Sequence, residues 1–284
     1  MTYLPPLPPL TLLNAKGASV LIVGAGPAGL EAARMLSQRG SSVMLADATR
    51  ALGGRVTREA ALPGLSEWIR VRDYRVQQIE KINQVEIFRE SELNSEDVIS
   101  TGVDHVVIAT GASWRKDGLG RSHPFAYGAS ELQGNILTPD DIMNGQIPRG
   151  HIVVYDDDSF YMGGLIAEKI CLTGQQVTLV TPADVVSAWC DYTSERFYVQ
   201  KRLLEVGVAI QTGSQLVSYN GHDVRVVNTY TDQTRAISAN ALVMVTARQP
   251  NDSLYRALET RRQEDSAVGI CSVTRIGDCE APAL

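Results

Sequence analysis

Three glycines at fixed spacing carry the first chemical signal in this sequence. Gly24, Gly26 and Gly29 follow the apolar run VLIV and open a helix-forming stretch, and Asp47 stands 18 residues after the last of them at the end of the next apolar run. In that context a glycine pattern reads as a phosphate cradle. Gly24 permits the tight turn, Gly26 lets the backbone approach a pyrophosphate, and Gly29 lets helix and strand pack. The helix amino terminus offers N–H groups to the phosphates. Pro27 and Ala28 lie within the same loop, GAGPAG. Asp47 is placed to accept ribose hydroxyls, and its charge would repel a 2′-phosphate, so an ADP-type moiety is expected ahead of an NADP-type one.

A second stretch repeats this layout about 130 residues later but changes the chemistry. HIVVYDDDSFYMGGLIAEKI, His151 to Ile170, carries Asp156, Asp157 and Asp158 where the first has Gly24, Ala25 and Gly26. A carboxylate about 4 Å from a phosphate charge costs roughly 4 kcal/mol at an effective dielectric near 20, against about 0.3–1 kcal/mol returned by the helix dipole. Repulsion wins, and this stretch is expected to keep the fold and lack NAD(P) binding. The alternative is that one aspartate turns away and the dinucleotide still binds.

No nucleophile constellation accompanies these loops. His105 and His151 sit in or beside apolar strands, while His123 and His222 fall in loops without a carboxylate partner, so all four read as structural. Cys171, Cys190, Cys271 and Cys279 form no C-x-x-C pair, which argues against a redox dithiol and a metal site, and fits a reducing, cytoplasmic setting. No catalytic residue and no metal ligand is assigned, and redox chemistry would come from a bound cofactor.

The elements that position the two loops are strand–turn–helix–strand units. Each opens with a continuous apolar run suited to a strand buried on both faces of a parallel sheet. In the first unit Gly40 stops the helix before SVMLAD, and in the second Gly174 does so before QVTLVT. Between them, Leu65, Trp68, Ile69, Val76 and Ile79 within Ala61 to Ile79 predict one amphipathic surface helix. A short strand at Val85 to Phe88, the strand HVVIATG and a short helix capped by Thr138 with Pro139 in its first position come next. Further on, TSERFYVQKRLLEVGV predicts a helix, Asn220-Gly221 a hairpin turn, and Ala241 to Ala247 and Gly269 to Gly277 the last strands. Trp114, Trp189 and Tyr192 are expected to be packed in the interior.

The fold class is therefore α/β, with two Rossmann-like doubly wound modules, the second inserted into the first. The expected boundaries are a proline-rich arm at 1–15, a dinucleotide-binding domain of the ADP/FAD type at 16–135 plus 250–284, and the second module at 136–249. The arm, with four prolines in its first ten residues, favours an extended conformation and cannot serve as a membrane helix. At 284 residues, 44% apolar and 20% charged, the chain can build such cores and is neither disordered nor fibrous. Its 26 basic residues against 32 acidic ones form no basic block, so neither nucleic acid nor a membrane is expected as a partner.

Taken together, GAGPAG, LADATRALGGRV, HVVIATG, ALVMVTARQPN and RIGDCEAP resemble the two-dinucleotide-domain flavoproteins. More narrowly, ALPGLSEWIRVRDYRVQQI, ATGASWRKDG, ILTPDDIMNG and the acidic VVYDDDSFYMGGLIAEKI resemble the C-terminal half of the trimethylamine dehydrogenase and histamine dehydrogenase family, from about Ser19 to Pro282. The resemblance implies ADP, or FAD, at the first module through Gly24 to Gly29 and Asp47. It adds Gly54 and Arg55, then Thr110 and Gly111, as further contacts, with Asp278 facing a ribitol if the ligand is FAD. It also implies a barrel with FMN and a four-iron (4Fe-4S) cluster as a partner subunit or domain that performs the chemistry, and an electron-transferring flavoprotein as acceptor. In the family the IGD motif continues into a helix covering the flavin, whereas the present sequence ends at Leu284, so ADP is expected ahead of FAD. The reading is thus the nucleotide-binding part or subunit of an amine-dehydrogenase-like oxidoreductase. Its alternatives are a free-standing FAD-dependent NAD(P)H oxidoreductase and a non-catalytic nucleotide-binding module.

Overall fold

The computed structural model describes residues 17–82, 84–128, 130–264 and 269–282; the proline-rich arm lies outside them. The chain divides into two compact units. One holds the described residues from 17 to 56, Arg70–Gly111 and Asp252–Ala281, and the other holds Thr57–Ile69 and Ala112–Asn251. Residues 57–69, 112–135 and 250–251, assigned above to the first domain, fall in the second unit.

The first unit is built on strands β1 (Ser19–Val23), β2 (Ser42–Ala46), β3 (Val85–Phe88), β4 (His105–Ile108) and the last strand among the described residues, β16 (Ser272–Arg275). They form one parallel sheet in the order β16-β4-β1-β2-β3. Its helices are α1 (Pro27–Gln38), α3 (Ile69–Glu80), α4 (Ser95–Ser100) and α8 (Ser253–Glu264), and α2 (Arg55–Glu59) begins in this unit and ends in the other. Alternate residues of β1 face two cores: Val20 and Ile22 pack with Leu30 and Ala33 of α1 and with Ile79, whereas Leu21 and Val23 pack with Val98 and Leu258. A strand covered by helices on both sides has no polar face, which is why its sequence is a continuous apolar run.

Strands β5 (Ala112–Trp114), β6 (Leu132–Gln133), β7 (Ile136–Leu137), β8 (His151–Asp156), β9 (Gln176–Val180), β10 (Ala209–Gln211), β11 (Ser214–Asn220), β12 (Asp223–Asn228), β13 (Thr234–Ser238), β14 (Ala241–Val245) and β15 (Arg248–Pro250) belong to the second unit. The parallel sheet runs β10-β9-β8-β14-β7. It repeats four strands of the first sheet in the same order, β14-β8-β9-β10 matching β4-β1-β2-β3, but its fifth strand, β7, precedes the others in the chain where β16 follows them. One face packs on α6 (Tyr161–Cys171) and α7 (Arg196–Val206), with α5 (Pro139–Met143) beside them. The other face packs Val153, Tyr155 and Met244 on a second sheet, β13-β12-β11-β6, through Leu216, Tyr219, Val224 and Val226. The hairpin read at Asn220-Gly221 joins β11 and β12, with Gly221 at φ +92°. A small antiparallel ribbon pairs β5 with β15.

Two expectations are corrected. The single helix over Ala61 to Ile79 is broken: after α2 the chain turns through Pro63 and Gly64 (φ +77°), makes a short 3₁₀ turn at Ser66–Trp68 and only then enters α3. Proline's missing donor and glycine's left-handed backbone interrupt the pattern. Leu62 and Leu65 accordingly join the core of the second unit, while Val76 and Ile79 join that of the first. Trp114 is buried as expected, but Trp189 is 38% and Tyr192 82% exposed. Both lie on a 3₁₀ turn at the protein surface, where they stack on each other at 5.6 Å.

Candidate functional site

The residues singled out in the first module gather at the carboxyl ends of β1, β2, β4 and β16, where the sheet order reverses direction and open α/β sheets place their ligands. Gly24 leaves β1 at φ +102°, and a Cβ there would lie 2.4 Å from the Ala109 carbonyl oxygen. A Cβ on Gly29 would lie 1.9 Å from the Gly24 oxygen. These two glycines are dictated by the chain's own packing. Gly26 differs: it is the extended residue preceding α1, and a Cβ there would meet nothing within 4 Å. Pro27 brings no N–H, so Ala28 and Gly29 carry the first-turn amides that lack an intrahelical acceptor.

Asp47 is held by the loop's own backbone. Its Oδ2 accepts the Ala25 amide at 2.7 Å, and its Oδ1 accepts the Thr49 amide at 2.8 Å and the Thr49 hydroxyl at 2.6 Å. A carboxylate offers about four lone-pair sites, so these bonds leave room for a further hydroxyl. The latch was readable in D-A-T directly after a strand, since Asp commonly accepts from the backbone two residues on.

The second wall comes from Gly53 and Gly54. The Gly53 amide donates to Ala25 O at 2.8 Å, and a Cβ on Gly54 (φ +54°) would stand 3.0 Å from Gly26 Cα. Arg55 follows at once, and its Nη1 lies 3.3 Å from Oδ2 of Asp278. Asp278 is delivered by Gly277 (φ +62°), where a Cβ would fall 2.7 Å from that of Ala28. Thr110 donates its hydroxyl to Cys279 Sγ at 3.2 Å, and its amide nitrogen lies 3.1 Å from the Cβ position of Gly24. Gly111 (φ +73°) has open space where its Cβ would be. The cradle, with bare backbone at Gly26, a carboxylate at Asp47 and a guanidinium at Arg55, fits an adenosine diphosphate moiety.

At the equivalent strand end of the second unit the chain fills the position with its own acid. Asp156 is fully buried; its Oδ1 accepts the Ser159 amide at 2.9 Å and Oδ2 has no hydrogen-bond partner. A Cβ on Gly163 would come within 2.3 Å of its Cγ, so the carboxyl rests on the first turn of α6. Burial, reinforced by the neighbouring Asp158 carboxylate, pushes the Asp156 pKa up to about 8. Asp157 is turned toward a different segment and accepts the Ser122 amide at 2.9 Å; burial raises its pKa, opposed by hydrogen bonds from Ser122. Burial likewise raises that of Asp158, against the pull of Arg248 and Arg121. Ser122, Arg121 and Arg248 went unread in the sequence, because their approach to the loop is made by tertiary folding across 35 residues or more.

Three of the four histidines hold structure through their rings: His105 Nδ1 meets Ser272 Oγ at 2.8 Å, His151 Nε2 meets Thr178 Oγ1 at 2.8 Å, and His123 stacks on Tyr127. None of the four cysteines is in a disulfide. Among the described residues no cluster of three or more His, Cys, Asp or Glu could hold a metal ion, and no helix is long and apolar enough to cross a membrane.

Two parallel sheets that share a four-strand order, one with an open glycine cradle and the other with an acid-filled one, define a dinucleotide-binding protein of two Rossmann-like modules. Residues 18–271 match the pyridine nucleotide-disulphide oxidoreductase family, and the chain belongs to it. Membership implies binding of dinucleotides of the FAD/NAD(P) kind. The chain is 34% identical to dimethylamine dehydrogenase of Hyphomicrobium sp. (strain x), over 93% of its own length and 39% of that protein. Among solved structures it is similar to histamine dehydrogenase from Rhizobium sp. 4-9, at 43% identity and TM-score 0.91, covering 95% of this chain and 42% of that one. It is also similar to 6-hydroxypseudooxynicotine amine oxidase from Pseudomonas geniculata N1, at 38% identity and TM-score 0.87, covering 95% and 40%. The resemblance read from the sequence is thus borne out, and the chain spans about two fifths of the length of these relatives.

Proposed function

We propose that this chain is the nucleotide-binding part or subunit of an amine-dehydrogenase-like flavoprotein oxidoreductase, holding ADP at its first module. Amine oxidation belongs, in this reading, to a barrel domain or subunit with FMN and an iron–sulfur cluster, and an electron-transferring flavoprotein takes the electrons onward. The observation that carries the reading is the contrast between the two loops: Gly26 leaves space for a diphosphate, whereas Asp156 and Asp158 occupy the amino end of α6 with buried carboxyls. A reductase fed by NAD(P)H needs the second loop open to a pyrophosphate, and here desolvated acid stands in its place. Identity of 34% to 43% with three enzymes named for amine chemistry supports the same assignment.

Gly26, Ala28 and Gly29 would hold the diphosphate, and Asp47 the ribose. ADP supplies no redox chemistry, so its role is structural; FAD would supply hydride and electron transfer. The test is to purify the chain, record its visible spectrum, denature it and identify the released nucleotide by mass. A colourless protein releasing ADP is expected. A yellow protein releasing FAD, with turnover of NADH or NADPH against a dye, would establish the free-standing reductase instead. Tight ADP binding without any barrel partner in cells would leave a non-catalytic nucleotide-binding module.

A further inference from the structure

We infer that the ion pair between Arg55 and Asp278 makes the first module selective for a nucleotide that ends in a free terminal phosphate, by closing the path along which a longer dinucleotide would leave the cradle. This rests on the proposed assignment of the diphosphate to Gly24 to Gly29.

Two backbone segments are pressed against the amino end of α1. Gly54 comes so near that a Cβ would stand 3.0 Å from Gly26 Cα, and Gly277 so near that a Cβ would fall 2.7 Å from that of Ala28. The next residue in each segment is charged. Arg55 and Asp278 meet at 3.3 Å, with their side chains 15% and 31% exposed. Flanked in this way, the first turn of α1 has a cation and an anion joined beside it. A diphosphate seated on that turn presents its distal phosphate to the pair.

The two candidate ligands differ at that point. ADP ends in a phosphate monoester, with one more ionisable oxygen than the diester of FAD, and a guanidinium is suited to bind two such oxygens at once. Asp278 holds Arg55 there, and its own charge repels any anion that passes beyond. FAD continues through the distal phosphate into a ribityl chain, which must pass where the pair is closed. Its passage separates two partly buried opposite charges and gains no new charge in return. Arg55 and Asp278 are therefore positioning and specificity residues.

The test competes ADP, AMP and FAD against one another on the full chain and on two variants, Arg55→Met and Asp278→Asn, each checked by melting for an intact fold. Arg55→Met keeps the bulk of the side chain and removes its charge; Asp278→Asn is nearly isosteric and removes the partner. The parent is expected to bind ADP at least tenfold more tightly than FAD. Arg55→Met lowers the ADP/FAD affinity ratio at least tenfold with AMP affinity unchanged, and Asp278→Asn raises FAD affinity by several-fold. A parent that releases ADP while both variants keep its ADP/FAD ratio overturns the ion-pair inference alone. A parent that releases FAD, or no nucleotide, overturns the proposed function and this inference together.

Discussion

Replacing Gly26 by alanine separates the needs of the ligand from the needs of the fold. The added methyl enters a space with no protein atom within 4 Å, and the residue has φ −69°, which alanine adopts without strain. Stability without nucleotide should therefore change by no more than about 0.5 kcal/mol. In the proposed function the methyl enters the seat of the diphosphate, and displacing the phosphate forfeits one or two charge-assisted hydrogen bonds of about 1.5–3 kcal/mol each. At 1.4 kcal/mol per decade, the Kd for ADP rises by about tenfold to more than a hundredfold. In thermal melts with ADP at a hundred times the parent Kd, the parent gains about 2.7 kcal/mol, and a variant weakened a hundredfold gains about 0.4 kcal/mol. At about 2–4 °C per kcal/mol, the parent midpoint rises by about 5–10 °C and that of the variant by about 1 °C. Gly24→Ala is the control. Its methyl would stand 2.4 Å from a carbonyl oxygen at φ +102°, so clash and backbone strain, about 1–3 kcal/mol each, destabilise the protein even without nucleotide. The reasoning is refuted if ADP raises the midpoint of Gly26→Ala as far as that of the parent, or if this variant without ADP melts as low as Gly24→Ala.

Further outcomes follow from the acid-filled loop and from a buried ion pair. The Asp156 pKa is raised above its unfolded value by burial, then by Asp158, so the folded state holds its proton over a range in which the unfolded chain has lost it. Its contribution is full below the unfolded pKa near 4 and is lost as pH rises to about 8. Asp156→Asn should leave melting at pH 4 nearly unchanged and raise it at pH 8; equal slopes of melting temperature against pH in parent and variant would count against this. Arg202 pairs with Glu168, which is buried in α6, and its guanidinium lies over Gly64. Arg202→Ala leaves the carboxylate uncompensated and should cost about 2–3 kcal/mol in urea unfolding, less than for a fully buried pair because the arginine is a third exposed. A loss below 0.5 kcal/mol would show that the pair is no more than a surface contact.

The parallel strands were legible because burial on both faces imposes continuous apolar runs, and the Gly24 to Gly29 loop because its context came with it. What depends on short-range chemistry was also legible at the Asn220-Gly221 hairpin and the helix at Pro139, where the Thr138 amide donates to Asp141 at 2.8 Å. The break at Pro63-Gly64 was written in the sequence but outweighed by apolar spacing that serves two cores at once. Exposure of Tyr192 could not be read, since an aromatic side chain at the surface carries the same letter as one inside. The approach of Ser122, Arg121 and Arg248 to the acidic loop is a property of the folded chain with no local signal. The Asp47 latch stood between these cases: the residue was identified, but its bond to Ala25 required the loop to be seen closed.

Neither unit is one uninterrupted stretch of polypeptide, and that sets an order on biosynthesis. β4 gains its outer neighbour only when β16 arrives, with His105 and Ser272 meeting across 167 residues. The ribosome must first deliver the whole of Ala112–Asn251, which has meanwhile found Leu62 already made and waiting for its core. Until then one edge of the earlier sheet stands bare, a template for wrong pairing, and the wall of the nucleotide cradle bearing Asp278 does not exist. A bound nucleotide therefore favours the state in which β16 has joined the sheet, and draws that strand into place.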